Sequence, residues 1–396
     1  MKNKKIFRFF GSRVSFYNAS ICNRIGSNIK IDKVKTLIVT TLKSRCLHTS
    51  ATSFTFTKSY HTQREKKASI GLVRECFGPN TDAAYENYYD WQYLQNPIGQ
   101  GTVLLVYDGD TAIAQEAFIP CKYQAGNQFL KVVLRMNACV CPAYRRKGLL
   151  LEMKRHLHKY YGRPALSIGI PNASNSSSRR SSYYPMRLTL LIRPLRLSNY
   201  FHNYLAKSVM KPFDNIWRYD RNYLCEDLDT FDESFDELAR VTYSGEIIRQ
   251  IRDSNLLNWR YINNPRRRYK IFAVMDSDRK LEGYIVLRVT EIAGMKVGLI
   301  MDFASRYDKS DSGRRLVSAA LEFFWSNDVV FALACCFPNN IEYQLLRKGG
   351  FLKCPDRFRP HPLTIWMKLF DEGKLDTNTI YDSNRWFFML GDYETF

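Results

Sequence analysis

The first 64 of 396 residues hold a single acidic side chain, Asp32, against thirteen lysines and arginines. That stretch has short apolar patches (Ile6 to Phe10, Leu37 to Val39) but no apolar run of 18 residues, which excludes a membrane-spanning helix there. It also lacks the compact apolar segment and small-residue cleavage site of a secretory signal. The ten cysteines form no CxxC pair; Cys139-x-Cys141 and Cys335-Cys336 sit in apolar, strand-like runs, where reduced core thiols are expected. Neither a GxGxxG nor a GKS/GKT sequence occurs, so dinucleotide and nucleoside-triphosphate binding lack their motifs.

What is present points to a globular body. A hydrophobic content of 45% with 14% aromatics argues against disorder, and the length suffices for two domains with their own cores. The net charge of +21 is uneven: residues 1–64 carry +12 and the remaining 332 carry +9. A basic leader does not imply a nucleic-acid-binding body. Its Arg- and Ser-rich, acid-poor composition is compatible with an organelle transit peptide, a basic tail, or an over-extended reading frame. Residues 1–66 are therefore placed outside the fold, with order expected from near Ser69. The expected location is the cytoplasm, or the mitochondrial matrix if residues 1–64 are a transit peptide.

The most informative stretch is Val132 to Asn172. An apolar strand ending at Val140 leads through Pro142 and a basic glycine turn, Arg145-Arg146-Lys147-Gly148, into a helix from Leu149 to about Tyr161. A second apolar strand, Ala165 to Ile170, ends in Pro171-Asn172. Backbone N–H groups at such a helix start, the positive end of its dipole and flanking cations together form a seat for phosphate. The plainer alternative is a basic helix start on a solvated face.

The order Val140-x-Pro142-x-Tyr144-Arg145-Arg146-Lys147-Gly148-Leu149 resembles the pyrophosphate loop of the GNAT acyltransferase superfamily, Gln/Arg-x-x-Gly-x-Gly/Ala. Arg145 and Gly148 match; Leu150 stands where a small residue is usual. The resemblance implies an acyl-CoA held by Arg145, Arg146, Lys147, Gly148, Leu149 and Leu150, with the arm along Cys139 and Val140 and Asn172 at its end. In the superfamily a tyrosine on the last helix reprotonates the thiolate, and Tyr183 and Tyr184 fall in that neighbourhood. Glu116 is the best candidate base, a water chain being equally compatible.

The chain also repeats. Trp91-x-Tyr93-x-x-Asn96-Pro97 returns as Trp259-x-Tyr261-x-x-Asn264-Pro265, and Gly148 and Pro171-Asn172 have counterparts in Gly313 and Pro338-Asn339. Offsets of 165 to 168 residues indicate a duplication. Trp386-Phe-Phe-Met-Leu-Gly391-Asp392 resembles the ending of two-domain members of the superfamily and is apolar enough to require cover. The expected fold is α+β, two GNAT-like domains, each a twisted mixed sheet flanked by helices, at residues 67–225 and 226–396. Acids near Gly313 (Asp302, Asp308, Asp311) make the second copy a poorer phosphate seat.

The expected activity is N-acyl transfer, most simply N-acetyl transfer from acetyl-CoA to a small polar amine. An acyl-CoA-binding or regulatory protein without turnover remains open, as does salt-sensitive, non-specific nucleic-acid association; no metal, specific nucleic acid or transmembrane segment is expected, and the oligomeric state stays open.

Overall fold

A computed structural model describes residues 54–161, 164–170, 183–201, 204–214, 225–242, 247–306, 309–355, 363–370 and 376–393. Regular structure begins earlier than expected. Thr55–Lys58 (β1) pairs antiparallel with Thr102–Asp108 (β2). Thr62 then caps helix Gln63–Phe77 (α1), with the Glu65 carboxylate accepting from Thr62 N in return, a closed capping box. Residues 55–66 thus belong to the fold, which corrects the leader boundary at 66. Residues 1–53 lie outside the described residues.

Helix Glu86–Tyr93 (α2) precedes β2, which turns through Gly109 into Thr111–Ala125 (β3) and Gln128–Val140 (β4). Leu149–Tyr161 (α3) and Leu166–Gly169 (β5) complete the first copy as far as Ile170. Alternation along the strands divides two faces. Leu104, Val106, Phe118 and Val133 face α3, against Leu149 and Met153, while Val103, Leu105, Ala117 and Ile119 face Ile70 and Leu72 of α1.

Tyr184–Arg187 (β6) and Thr189–Pro194 (β7) occupy the stretch expected to hold a last helix. Tyr204–Asp214 (α4), Glu226–Leu228 (β8), Ser234–Val241 (α5), Arg249–Gln250 (β9) and Ser254–Leu257 (α6) lead to the second meander. That meander is Lys270–Met275 (β10), Leu281–Ile292 (β11) and Met295–Ser305 (β12), followed by Ser310–Ser326 (α7) and Phe331–Cys336 (β13). Ile341–Lys348 (α8), Leu352–Lys353 (β14), Thr364–Leu369 (β15) and Thr377–Tyr381 (α9) follow.

The first sheet runs β1-β2-β3-β4-β5-β15-β6 with β9 on β3; the second runs β14-β7-β13-β12-β11-β10-β8. Each is antiparallel except for one parallel pair, β4 with β5 and β12 with β13. The expected boundary at 225/226 does not separate the sheets. Strand β7, from the first half of the chain, pairs with β13, and β15, from the second half, pairs with β5 and β6. The reason is burial: Leu190 and Leu191 bury both faces of β7, and Ile365 and Met367 bury one face of β15, in the places these strands take beside a central strand.

The two copies meet through their repeated motif. The rings of Trp91 and Trp259 stack with centroids 4.8 Å apart and planes 16° apart. Trp91 Nε1 donates to Trp259 O at 2.7 Å and Trp259 Nε1 donates to Trp91 O at 2.9 Å. Asn96 and Asn264, five residues on, each close a local turn by accepting from backbone amides. Nearby, the tail crosses the seam: Trp386 bridges to Ile248, and Trp386 to Leu390 are buried. Arg252 fastens it, donating from Nε to both Asp302 oxygens at 2.9 Å and from Nη2 to Asp392 Oδ2 at 2.6 Å, all three side chains 5% exposed or less. Among the described residues no helix is long and apolar enough to cross a membrane.

Trp259→Ala removes a buried ring and a seam hydrogen bond together. Denaturant unfolding is expected to show a loss of about 3–5 kcal/mol; a loss under about 1 kcal/mol would mean the seam does not depend on the stacked pair.

Candidate active site

The turn between β4 and α3 is built by backbone conformation. Pro142–Tyr144 forms a 3-10 turn, after which Arg146 (φ 68°) and Gly148 (φ 80°) both take left-handed conformations. Gly148 O then accepts from the amides of Leu151 and Glu152 at 2.9 and 3.1 Å, which leaves the amides ahead of them at the open helix end. A Cβ on Gly148 would have no atom within 4 Å, so glycine is needed there for its φ rather than for lack of space.

Arg145, Arg146, Lys147 and Gly148 are all exposed. Arg145 Nε donates to Val140 O at 3.2 Å, holding its guanidinium across the end of β4. Lys147 Nζ stands 4.7 Å above the Tyr144 ring, whose hydroxyl donates to Asp108 Oδ2 at 2.9 Å. Leu149 is buried and Leu150 packs half-buried under the turn against the α3-face core. The bulky side chain at the usual small position therefore points inward, away from the open turn.

Among the described residues strands β4 and β5 pair from Val132↔Leu166 to Arg135↔Gly169, and no further, while β4 continues to Val140. Beyond Arg135 the strand is laddered on the β3 side only, through Gln115↔Cys139 and Ala114↔Val140. The opposite side of Cys139 and Val140 is where the two strands part. Register slips between Gln115 and Ala117, and Asn137 in the slip has φ 50°, a bulge that bends β4 outward. Asn172 lies outside the described residues.

Two of the three side chains considered for acid–base work come together. Glu116 is 2% exposed and ion-paired to Arg135, Oε1 to Nη1 at 3.4 Å. Tyr183 is buried, with Arg135 Cζ 4.1 Å, Lys154 Nζ 5.4 Å and Lys368 Nζ 5.9 Å from its ring centroid. Burial pushes the Tyr183 phenol up against the opposing pull of Arg135, so it stays protonated. Burial likewise raises the Glu116 carboxyl, opposed by Arg135 and Lys154. Lys154 is pulled down to about 7 by burial and then by Arg135, against Glu116. Tyr184 is not part of this group: it is exposed and stacks on Tyr381 at 4.3 Å. Both tyrosines precede or begin a strand, not the expected helix.

The other face of the sheet carries a chain that sequence reasoning missed. Asn137 Nδ2 donates to Tyr93 OH at 2.6 Å and to Gln92 Oε1 at 3.0 Å. Tyr93 packs edge-on to Tyr89 at 4.6 Å. His61 Nε2 lies 3.0 Å from Gly101 O; a carbonyl only accepts, so Nε2 carries the proton and Nδ1 accepts from Tyr89 OH at 2.9 Å. His61 went unnoticed because it sits in the basic stretch set aside as leader.

The second copy's equivalent turn is filled from within. Glu282 is buried at the start of α7, accepting from Ser312 Oγ and pairing with Lys309 Nζ at 3.3 Å. A carboxylate carried on β11 thus pairs with the residue before α7 and with a hydroxyl of its first turn. Gly313 is there for close packing, since a Cβ would lie 2.4 Å from Leu345 Cδ1. Of the acids expected to spoil this turn, Asp302 is engaged by Arg252, Asp311 pairs with Arg314, and Asp308 lies outside the described residues.

Two sheets, each with one parallel pair followed by parting strands beside a helix start, define the GNAT acyltransferase fold in tandem, and this chain has it. Residues 59–184 match the family described as acetyltransferase (GNAT) domain. Among solved structures, Saccharomyces cerevisiae N-myristoyltransferase with bound myristoyl-CoA and inhibitors is similar at 12% identity and TM-score 0.55, over 82% of this chain and 81% of that one. A probable N-acyltransferase of Enterococcus faecalis V583 is similar at 14% identity and TM-score 0.52, over 81% and 73%. No curated protein matches by sequence.

His61 is lowered from its usual value, chiefly by burial. A histidine depressed in the folded state contributes stability that is present above about pH 6.5 and lost as pH falls through the lower, folded value. Melting curves from pH 7.5 to 5 should show this acid-side loss in the wild type and a shallower one in His61→Gln; parallel curves would remove His61 from the account.

Proposed function

We propose that the chain is an acyl-CoA-dependent N-acyltransferase that uses acetyl-CoA or another short-chain acyl-CoA and modifies a small polar amine. The observation that carries this reading is the open turn Arg145–Gly148, with two left-handed residues, exposed cations and free space, set where β4 and β5 part. A relative of the same fold holding myristoyl-CoA supports it.

In this reading Arg145 and the amides around Gly148, Leu149 and Leu150 hold the pyrophosphate, and Arg146 and Lys147 add charge. Backbone groups of Cys139 and Val140 direct the arm between the strands, and Asn172 is assigned to its end on the resemblance alone. The amine attacks the thioester carbonyl, the new C–N bond replaces the C–S bond, and Tyr183 gives its proton to the leaving sulfur. Glu116 is engaged by Arg135, so water is the simpler carrier for the amine proton. The same engagement favours the second reading, an acyl-CoA-binding protein without turnover. Glu282 in the second copy supports one cofactor per chain.

Calorimetric titration of the full chain with acetyl-CoA should give close to one equivalent. Gly148→Asp should abolish binding, because it strains the φ of 80° and sets a carboxylate against phosphate. Two equal equivalents would overturn the assignment of a single seat, and no binding would end the acyl-CoA reading.

Tyr183→Phe should lower turnover roughly 10- to 1,000-fold in a thiol-release assay over pools of amines, with cofactor affinity little changed. Unchanged turnover would move the acid role to another group or to water. Tight acyl-CoA binding with no thiol release from any amine class would favour the binding protein.

A further inference from the structure

The buried group beneath α3 is more charged than an acetyl pocket needs. Arg135 and Gly169 are the last paired residues before β4 and β5 separate, and a Cβ on Gly169 would lie 3.0 Å from Arg135 Nη2. The guanidinium thus forms the floor of the gap between the strands. On the acyl-CoA reading, an acyl group carried into that gap meets this floor.

Around the Tyr183 ring stand Arg135, Lys154 and Lys368, with Glu116 the carboxylate facing them. Arg135 is 7% exposed, yet among the described residues its Nε–H has no hydrogen-bond partner, and Glu116 Oε2, on a residue 2% exposed, has none either. Buried donors and acceptors are normally satisfied, and an unsatisfied guanidinium N–H, being a charged donor, is answered best by an anionic acceptor. Burial raises the Glu116 carboxyl, opposed by Arg135 and Lys154, and a proton taken up there on binding would let it donate to a second carboxyl.

We infer that the acyl group this site selects ends in a carboxylate, a short dicarboxylic acyl thioester whose free end is bound by Arg135, with Lys154 and Glu116 alongside. This rests on the acyl-CoA reading and narrows its substrate class. An alkyl chain of equal length buries methylenes against cations and leaves Arg135 Nε unpaired. Sites built to bind a polar group discriminate strongly against analogues that lack it.

The experiment is a competition titration of the full chain with free CoA, acetyl-CoA, butyryl-CoA and succinyl-CoA, the last two having four acyl carbons each. Succinyl-CoA should bind at least about 10-fold more tightly than butyryl-CoA, tenfold being about 1.4 kcal/mol. Arg135→Met should erase or invert that ratio while affinity for free CoA holds. Arg135→Lys, which keeps a cation, should retain part of it. Butyryl-CoA binding as well as or better than succinyl-CoA in the wild type overturns the inference while leaving the acyl-CoA reading intact. If no CoA compound binds, both fall. Should Arg135→Met fail to fold, the wild-type ratio decides, and Lys154→Met gives a second check by weakening succinyl-CoA selectively.

Discussion

Two indole rings, 4.8 Å apart and each donating to the other's backbone carbonyl, hold the halves of this protein in register. A reciprocal bond of this kind exists only if both copies of the motif present the same geometry to one another, so the repeat in the sequence is also its own interface. The helix that carries Trp91 also carries Tyr93, which holds the bulge at Asn137, and the turn that carries Trp259 leads to Tyr261, whose hydroxyl donates to Asp302 at 3.1 Å. Disturbing the stack therefore reaches the bulge of one sheet and the Arg252 clamp of the other.

From that symmetric seam the copies diverge. One helix start is open and faces solvent with arginines; the other is closed by Glu282. Both solve the same problem, since a helix start leaves unpaired donors and partial positive charge that some anion has to answer. The second copy brings the Glu282 carboxylate to that end, against Ser312 and Lys309. The first leaves it open to solvent.

Much of the frame was legible because it is local. The hairpin through Asp108-Gly109, the strand to Val140 and the helix from Leu149 to Tyr161 follow from turn residues and apolar period, and the offset of the Trp motif revealed the duplication. What was not legible depends on long-range pairing. Nothing local distinguishes β7, which joins the far sheet, from a strand that stays in its own, and β15 is no different. At the site, Arg145 and Gly148 could be placed from the turn, but the partnership of Arg135, Glu116 and Tyr183 arises only when three strands and the segment before β6 converge. A lone arginine inside an apolar strand was the available signal. His61 was hidden by composition: charge alone does not show that β1 starts at Thr55.

The exchange of β7 and β15 between sheets bears on how the chain emerges from the ribosome. Until Thr364–Leu369 has been synthesised, β5 has a bare edge beside β4, and the first sheet is without its β15–β6 side. That bare edge is a template for unwanted pairing with other nascent chains. The N-terminal half therefore waits, incomplete, through about half of translation, and a fragment ending between the two copies would inherit the same exposed edge permanently.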